Sequence, residues 1–402
     1  MYTVSGGNTF GEDGTYTIKV TLHHESSPDV LVTSTAIVHD NIGILLLDAT
    51  GSGALTATGN ANVTVADVNN CGAIVLDSNS ASAGVAVGNA VVNAGEYDIT
   101  GTPGTRTSGH GVFNFTDELN TGETPTTDPL ALVPSPPPSV SSFPSVNDTG
   151  GPTLVLKPGT YTGGIHVSGK GSVVLLPGLY YMDGGGFAVS GQGTVTGDGV
   201  TIYNAPSRPS DGFSFTGQAV VQLSGPTSGF YQSIVFFQDR TSAVTFQVAG
   251  QASLNLSGII YAPDALVQVS GPGTIFDQGN TAGTVAALID AADLMVTGNG
   301  VVYLDVSKNS PESLHLGLTD VAPASPIIAP HAVFNTYPNA TAVVPLTVNI
   351  ANHAAEFITP DVLNDVAQEV TVALGNGPSS RTLVPQTIKK SPFGSFLNRL
   401  SS

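Results

Sequence analysis

IHVSGKGSV occupies residues 165–173, and the same phrase returns as FAVSGQGTV (187–195), FSFTGQAVV (213–221), FQVAGQASL (246–254), VQVSGPGTI (267–275) and LMVTGNGVV (294–302). LTATGNANV (55–63) is a further copy, and a shorter one, AVGNAVV, surrounds Gly88. The shared pattern is apolar, any, apolar, a small residue, Gly, any, Gly or Ala, any, apolar. Alternation on both sides of the glycine reads as two short strands, and the glycine supplies the corner between them. The corner residues are therefore Gly59, Gly88, Gly169, Gly191, Gly217, Gly250, Gly271 and Gly298. A strand–corner–strand unit recurring every ~20–35 residues is the mark of a coiled β architecture. The expected fold is mainly β: a parallel β-helix, right-handed by the general preference of parallel crossovers. Phe187, Phe213, Phe215 and Phe246 fall on apolar positions of the phrase and read as an internal aromatic stack.

Composition agrees with a polar-surfaced β protein. Only 10% of the 402 residues are charged, Gly numbers 48, and Trp is absent. The net charge is −19, from 30 acidic and 11 basic residues. Nucleic acid and anionic membrane surfaces both select Lys/Arg clusters, so neither is an expected partner. No apolar run reaches the ~18 residues of a membrane-spanning helix, so no transmembrane segment is expected. The single cysteine, Cys71, rules out an intramolecular disulfide and reads as a small buried apolar residue. The start, MYTVSGGNTFGEDG, shows no signal-peptide pattern. An extracellular or cell-surface location therefore implies a chain cut from a longer bacterial protein.

The chain divides into five stretches. Residues 1–40 hold TYTIKVTL and VLVTSTAIV, two alternating runs joined by a polar turn, hence a hairpin. A two-stranded hairpin is marginal alone and needs partner strands. Residues 41–115 form a first solenoid stretch, with IGILLL as an apolar strand. Asn60, Asn89 and Asn299 each follow a corner glycine and are expected to stack as a ladder inside the coil. Residues 116–150 are proline-dense and read as a strap or linker, with Leu130, Leu132 and Val133 available to pin it to the solenoid flank. Residues 151–308 are the main solenoid. Residues 309–402 leave the pattern and carry one expected helix at 359–374, with Thr359 as N-cap and Pro360 at the first helical position. The terminal KKSPFGSFLNRLSS reads as frayed.

Two long phrases carry a family resemblance. LKPGTYTGGIHVSGKGSVVLLPGLYYMDGGGFAVSGQGTVTGDGVTIY and SGPTSGFYQSIVFFQDR, followed by LNLSGIIYAPDALVQVSG, resemble the C-terminal β-solenoid region of TadG-like pilus-assembly proteins. LTATGNANVTV, VLDSNSASAGVAVGNA and DPLALVPSPP extend the likeness upstream, over about residues 44–305. FGEDGTYTIKVTL resembles the closing strands of PKD-like and Ig-like modules, so residues 1–40 are read as the remnant of one. The resemblance implies an exported, surface-associated solenoid, and it brings no catalytic residue set. The chain departs from that family in lacking an N-terminal membrane segment.

The residues offer little chemistry. A solenoid lyase needs clustered Asp for calcium beside a cationic base, and a hydrolase needs two carboxylates facing one groove. Asp198, Asp211, Asp239, Asp264, Asp277, Asp290 and Asp293 are the carboxylates of the main solenoid considered, with Arg208 and Arg240 as cations. Asp239 and Arg240, in FFQDR, with Asp211, are the catalytic candidates. Neighbours on a strand point to opposite faces, so Asp239 and Arg240 form one site only if a corner breaks that alternation. Calcium is the one cofactor considered, without an assigned ligand set. The eight histidines lack metal-ligand spacing, and no phosphate-binding or nucleophile-elbow motif is present. The leading expectation is a non-catalytic, adhesin-like surface protein whose partners are surface glycans or other surface proteins. A glycan-active β-helix enzyme is the second reading. An ice-binding solenoid is the third, because Thr-x-Thr occurs at Thr56–Thr58 and Thr194–Thr196 but not on every coil.

Overall fold

The computed structural model describes residues 42–67, 72–279 and 287–307 with their side chains. Elsewhere it describes only the backbone of Asn41 and of strands near the two ends of the chain. Cys71, residues 351–369 and residues 390–402 lie outside the described residues. The chain divides into two units, Asp40–Ser310 and the pair Met1–His39 with Pro311–Ser402.

Asp40–Ser310 is a parallel β-solenoid. One coil passes along three faces in turn, as in Gly178–Asp183, Phe187–Val189 and Thr194–Gly197. The next coil, Val200–Ala205, Phe213–Phe215 and Val220–Ser224, lies on it in register, pairing Tyr181 with Tyr203, Phe187 with Phe213 and Val195 with Val221. Alternation sends every second residue inward. Tyr180, Met182, Phe187, Val189 and Val195 are all fully buried, and each lies under its counterpart on the next coil. Phe213, Phe215, Phe236 and Phe246 continue this column, with ring centroids 5.0 Å apart for Phe213–Phe236 and 5.2 Å for Phe213–Phe246.

The two solenoid stretches form one stack, but not in chain order. Ile289–Gly298 pairs with both Asn41–Leu46 and Leu55–Gly59, and Val301–Asp305 pairs with Asn62–Ala66. The stack therefore starts at Ser142–Asp148, runs to residue 305, continues with residues 41–66 and ends at Leu119–Thr121. Residues 122–141 must then return along the whole flank. Roughly ten rungs at ~4.8 Å make about 48 Å, and twenty residues in polyproline-like extension reach about 60 Å. The proline-dense composition suits that span.

The corner glycines stack as well. Gly169, Gly191, Gly217, Gly250, Gly271, Gly298, Gly59 and Gly88 all have φ between +57° and +82°. A Cβ on Gly191 would meet the amide nitrogen of Gly169 at 2.9 Å. Gly191→Val therefore combines a φ that β-branched residues avoid with a clash against backbone. The expected loss is at least ~1–2 kcal/mol, read as a lower denaturation midpoint, and an unchanged midpoint would contradict the corner geometry. Where the residue after a corner glycine is Asn or Gln, it stacks on its neighbour through side-chain amides. Asn89 donates to Asn60 and Asn60 to Asn299, while Gln192 donates to Gln218 and Gln218 to Gln251, at 2.9–3.1 Å. This ladder runs along an exposed corner and not inside the coil, because a corner turns its side chains outward.

In the other unit, Gly14–His24 pairs antiparallel with Ser27–Val38 and with Val370–Gly375, and Tyr2–Thr9 pairs antiparallel with Thr341–Val348. The N-terminal hairpin thus finds its partner strands in the C-terminal segment. Val370–Gly375 is strand where the sequence predicts the end of the 359–374 helix. The run VTVAL alternates and is partly β-branched, and pairing with Gly14–His24 outweighs the helical signals upstream of it.

Candidate functional site

The outward residues of the first face form a continuous column through register: Tyr181, Tyr203, Phe237, Tyr261, Asp290, Leu45 and Val75. The strap covers its stretch from Tyr203 to Tyr261. Leu130 packs into a cluster with Tyr203, Ile234, Phe237, Ile259 and Tyr261, and Val133 lies against the same cluster. Leu132 is 96% exposed and pins nothing. The strap turns at 129–133, where the Val133 amide donates to the Leu130 carbonyl (2.9 Å), so positions 130 and 133 come together on the solenoid side and 132 is left outside.

Arg240 holds the strap down. Its guanidinium donates to the carbonyls of Leu130 (2.7 Å) and Val133 (2.6 Å), to Ser135 Oγ (3.2 Å) and to Tyr261 Oη (2.8 Å). It also sits 5.0 Å from the Phe237 ring centroid and 5.1 Å from that of Tyr261. Two carboxylates complete the attachment: Asp128 of the strap accepts from Tyr261 Oη, and Asp77 accepts the Thr126 amide.

Asp239 starts the corner after Ile234–Gln238 and turns the other way. It accepts the Tyr203 hydroxyl from the preceding coil and both the amide and hydroxyl of Thr241. Burial alone would raise its pKa, but these hydrogen bonds and the Arg240 charge hold it below the ordinary carboxylate value. The corner does bring both side chains to the outer surface, yet Asp239 reaches back one coil and Arg240 forward one coil. Asp211 is buried and accepts from the Ser207 amide and the Ser210 hydroxyl. Burial acts to raise its pKa as well, and hydrogen bonds from the Gly185 and Ser207 amides outweigh it.

Beside this lock lies an open groove of about 490 Å³ between residues 205–209 and 241–244, with Arg208 and Asp239 in its lining. Asp239 is the one carboxylate there, and it is ionised. A hydrolytic acid needs a raised pKa and access to substrate. Among the described residues the carboxyls with raised pKa are elsewhere: Asp77, Asp277 and Asp290 are buried, and Asp293, pushed up to about 6 by burial and by Asp48, lies on a different coil. Asp264 sits at an exposed corner, and Asp198 accepts from Ser224 Oγ. Among the described residues no group of three or more His, Cys, Asp or Glu is placed to hold a metal ion.

Sequence reading missed the lock formed by Tyr203, Tyr261, Asp128 and Asp77. Its signal was present: GLYYMD, VTIYNA, IVFFQD and IIYAPD each place an aromatic residue two positions before the corner. Comparison with family models, curated proteins and solved structures returned no match to this chain. Among the described residues no helix is long and apolar enough to cross a membrane.

Proposed function

We propose that this chain is a non-catalytic, exported and surface-associated β-solenoid with a structural or adhesin-like role. One observation carries the reading. Asp239 and Arg240, the scarce charges with the best claim to chemistry, are engaged in fixing the strap and the corner. The resemblance to the TadG-like region and the low charge content point the same way.

The test compares wild type and Asp239→Asn on a panel of acidic and neutral polysaccharides, following reducing ends and unsaturated products. Neither protein is expected to release any. The variant should lose less than ~1 kcal/mol, since an amide retains one acceptor oxygen for Thr241. Cleavage by wild type that disappears in the variant would overturn the proposal in favour of a glycan-active enzyme.

One observation speaks to the ice-binding reading. Ser168, Ser190, Thr216, Ser270, Thr297, Thr58 and Ser108 fall in one outward column of the second face, interrupted by Ala249 and Val87. The neighbouring column holds His166, Gln247, Gln268, Met295 and Arg106. Side chains so unequal in length do not make the flat array that binding to ice requires, so this reading stays behind the first.

A further inference from the structure

We propose that the groove between residues 205–209 and 241–244 is a binding site for a neutral saccharide, with Arg208 as its principal donor. The inference rests on the reading of the chain as a surface protein and gives that surface a ligand.

The groove arises where the solenoid departs from its own pattern. The corner between first and second faces is tight at Gly184–Gly186 on one side and at Pro263–Asp264 on the other, between strand segments of the ladder. On the two coils between them, the corner expands into residues 206–212 and 239–245. Insertions on adjacent coils of a repeat protein stand side by side and form the place where ligands are held. At about 490 Å³ the space matches a small ligand such as one or two sugar rings.

The lining supplies the matching groups. Arg208 is exposed, and its guanidinium makes no hydrogen bond or ion pair among the described residues, leaving its five N–H groups free. Ser242 Oγ accepts from Gln238 Nε2 and from the Val244 amide, so its own proton is available to donate. Asp239 uses three of its roughly four acceptor positions on Tyr203 and Thr241 and keeps one. Ser207 adds a hydroxyl, and Pro206 and Pro209 add rigid apolar surface. Alternating donors and acceptors beside C–H-bearing rings are what a sugar presents in return.

Charge selects the neutral class. Arg208 and the ionised Asp239 balance one another in the groove, while the chain as a whole carries −19. A polyanion would meet repulsion from both the site's carboxylate and the wider field.

Affinity electrophoresis tests this with the full chain in gels containing dextran, xylan, mixed-linkage β-glucan or galactan, and in matching gels of polygalacturonate. The expected result is retarded migration in at least one neutral gel, unchanged in 0.5 M salt, on the order of tenfold weaker in Arg208→Gln and unaltered in Arg106→Gln. Thermal midpoints of both variants should equal that of wild type, since both arginines are exposed. Absence of retardation in every neutral gel, full retention by Arg208→Gln, or retardation by polygalacturonate alone each overturns the proposal. Cleavage of a retained polysaccharide would instead overturn the non-catalytic reading and leave the groove assigned, so the two failures are distinguishable.

Discussion

Arg240→Ala should lose about 3 kcal/mol of stability and release residues 122–141 from the solenoid flank. The guanidinium donates to two strap carbonyls and to Ser135 Oγ and Tyr261 Oη. Hydrogen bonds from a charged donor contribute ~1.5–3 kcal/mol each, and the contacts with the Phe237 and Tyr261 rings add ~0.5–2 kcal/mol. Removing the side chain forfeits these and leaves the Val133 carbonyl of the strap without its donor, while the Leu130 carbonyl keeps the Val133 amide. Full additivity is not expected, because water reaches the freed groups once the strap lifts. Arg240→Lys should rescue little: one ammonium cannot span acceptors that a planar fork reaches at once. Hydrogen exchange gives the decisive measurement. The Thr126 and Leu130 amides, bonded to Asp77 and Asp128, should lose protection in the alanine variant while Val195 and Val221 in the stack keep theirs. Equal protection of the strap in wild type and variant would refute the role given to Arg240.

That role also marks how far the sequence could be read. The phrase from Phe187 to Val195 carries its own periodicity and its own corner, so it identifies coil geometry locally. Nothing local tells the chain that Ile289–Gly298 pairs with Asn41–Leu46, because parallel rungs with the same alternation are interchangeable in pattern. The permuted order is selected by the whole set of contacts, including the strap. Arg240 shows the same limit for the site. Its neighbour Asp239 made the pair look chemical, whereas its partners Leu130 and Val133 are more than a hundred positions away. Val370–Gly375 fails differently: the helix signals at Thr359 and Pro360 are real local preferences, and pairing with Gly14–His24 overrides the end of the segment they begin.

Stability should be higher near pH 5 than at pH 8, contrary to the behaviour of proteins held by ionised carboxylates. Asp277 is fully buried, with one oxygen accepting the Gly258 and Gly279 amides and the other unpartnered. Burial, with a smaller contribution from Asp305, pushes its pKa up to about 7 despite those amides. Burial also raises Asp77 to about 6 and Asp290 well above the ordinary value. The charges facing Asp290 are Asp128 and Asp77, which reinforce the rise, and Arg240, which opposes it. A raised carboxyl pKa means the folded state keeps a proton that the unfolded chain has released. Between pH ~4 and ~7 the folded form therefore binds more protons, and stability falls as pH rises through that window. About three pKa units at 1.36 kcal/mol each put the contribution of Asp277 on the order of 4 kcal/mol. Asp211 and Asp239, held below the ordinary value, act in the other direction and withdraw stability only below pH ~4. The optimum therefore lies near pH ~4, and stability at pH 5 still exceeds that at pH 8. Asp277→Asn separates this from general charge repulsion in a chain of net charge −19. An amide oxygen can accept the same two backbone N–H groups and cannot ionise. The variant should match wild type at pH 5, exceed it at pH 8 and show a flatter midpoint-versus-pH curve at constant ionic strength. A wild-type curve that is level from pH 5 to 8, or a variant less stable than wild type at pH 8, would show that Asp277 is not held protonated inside the coil.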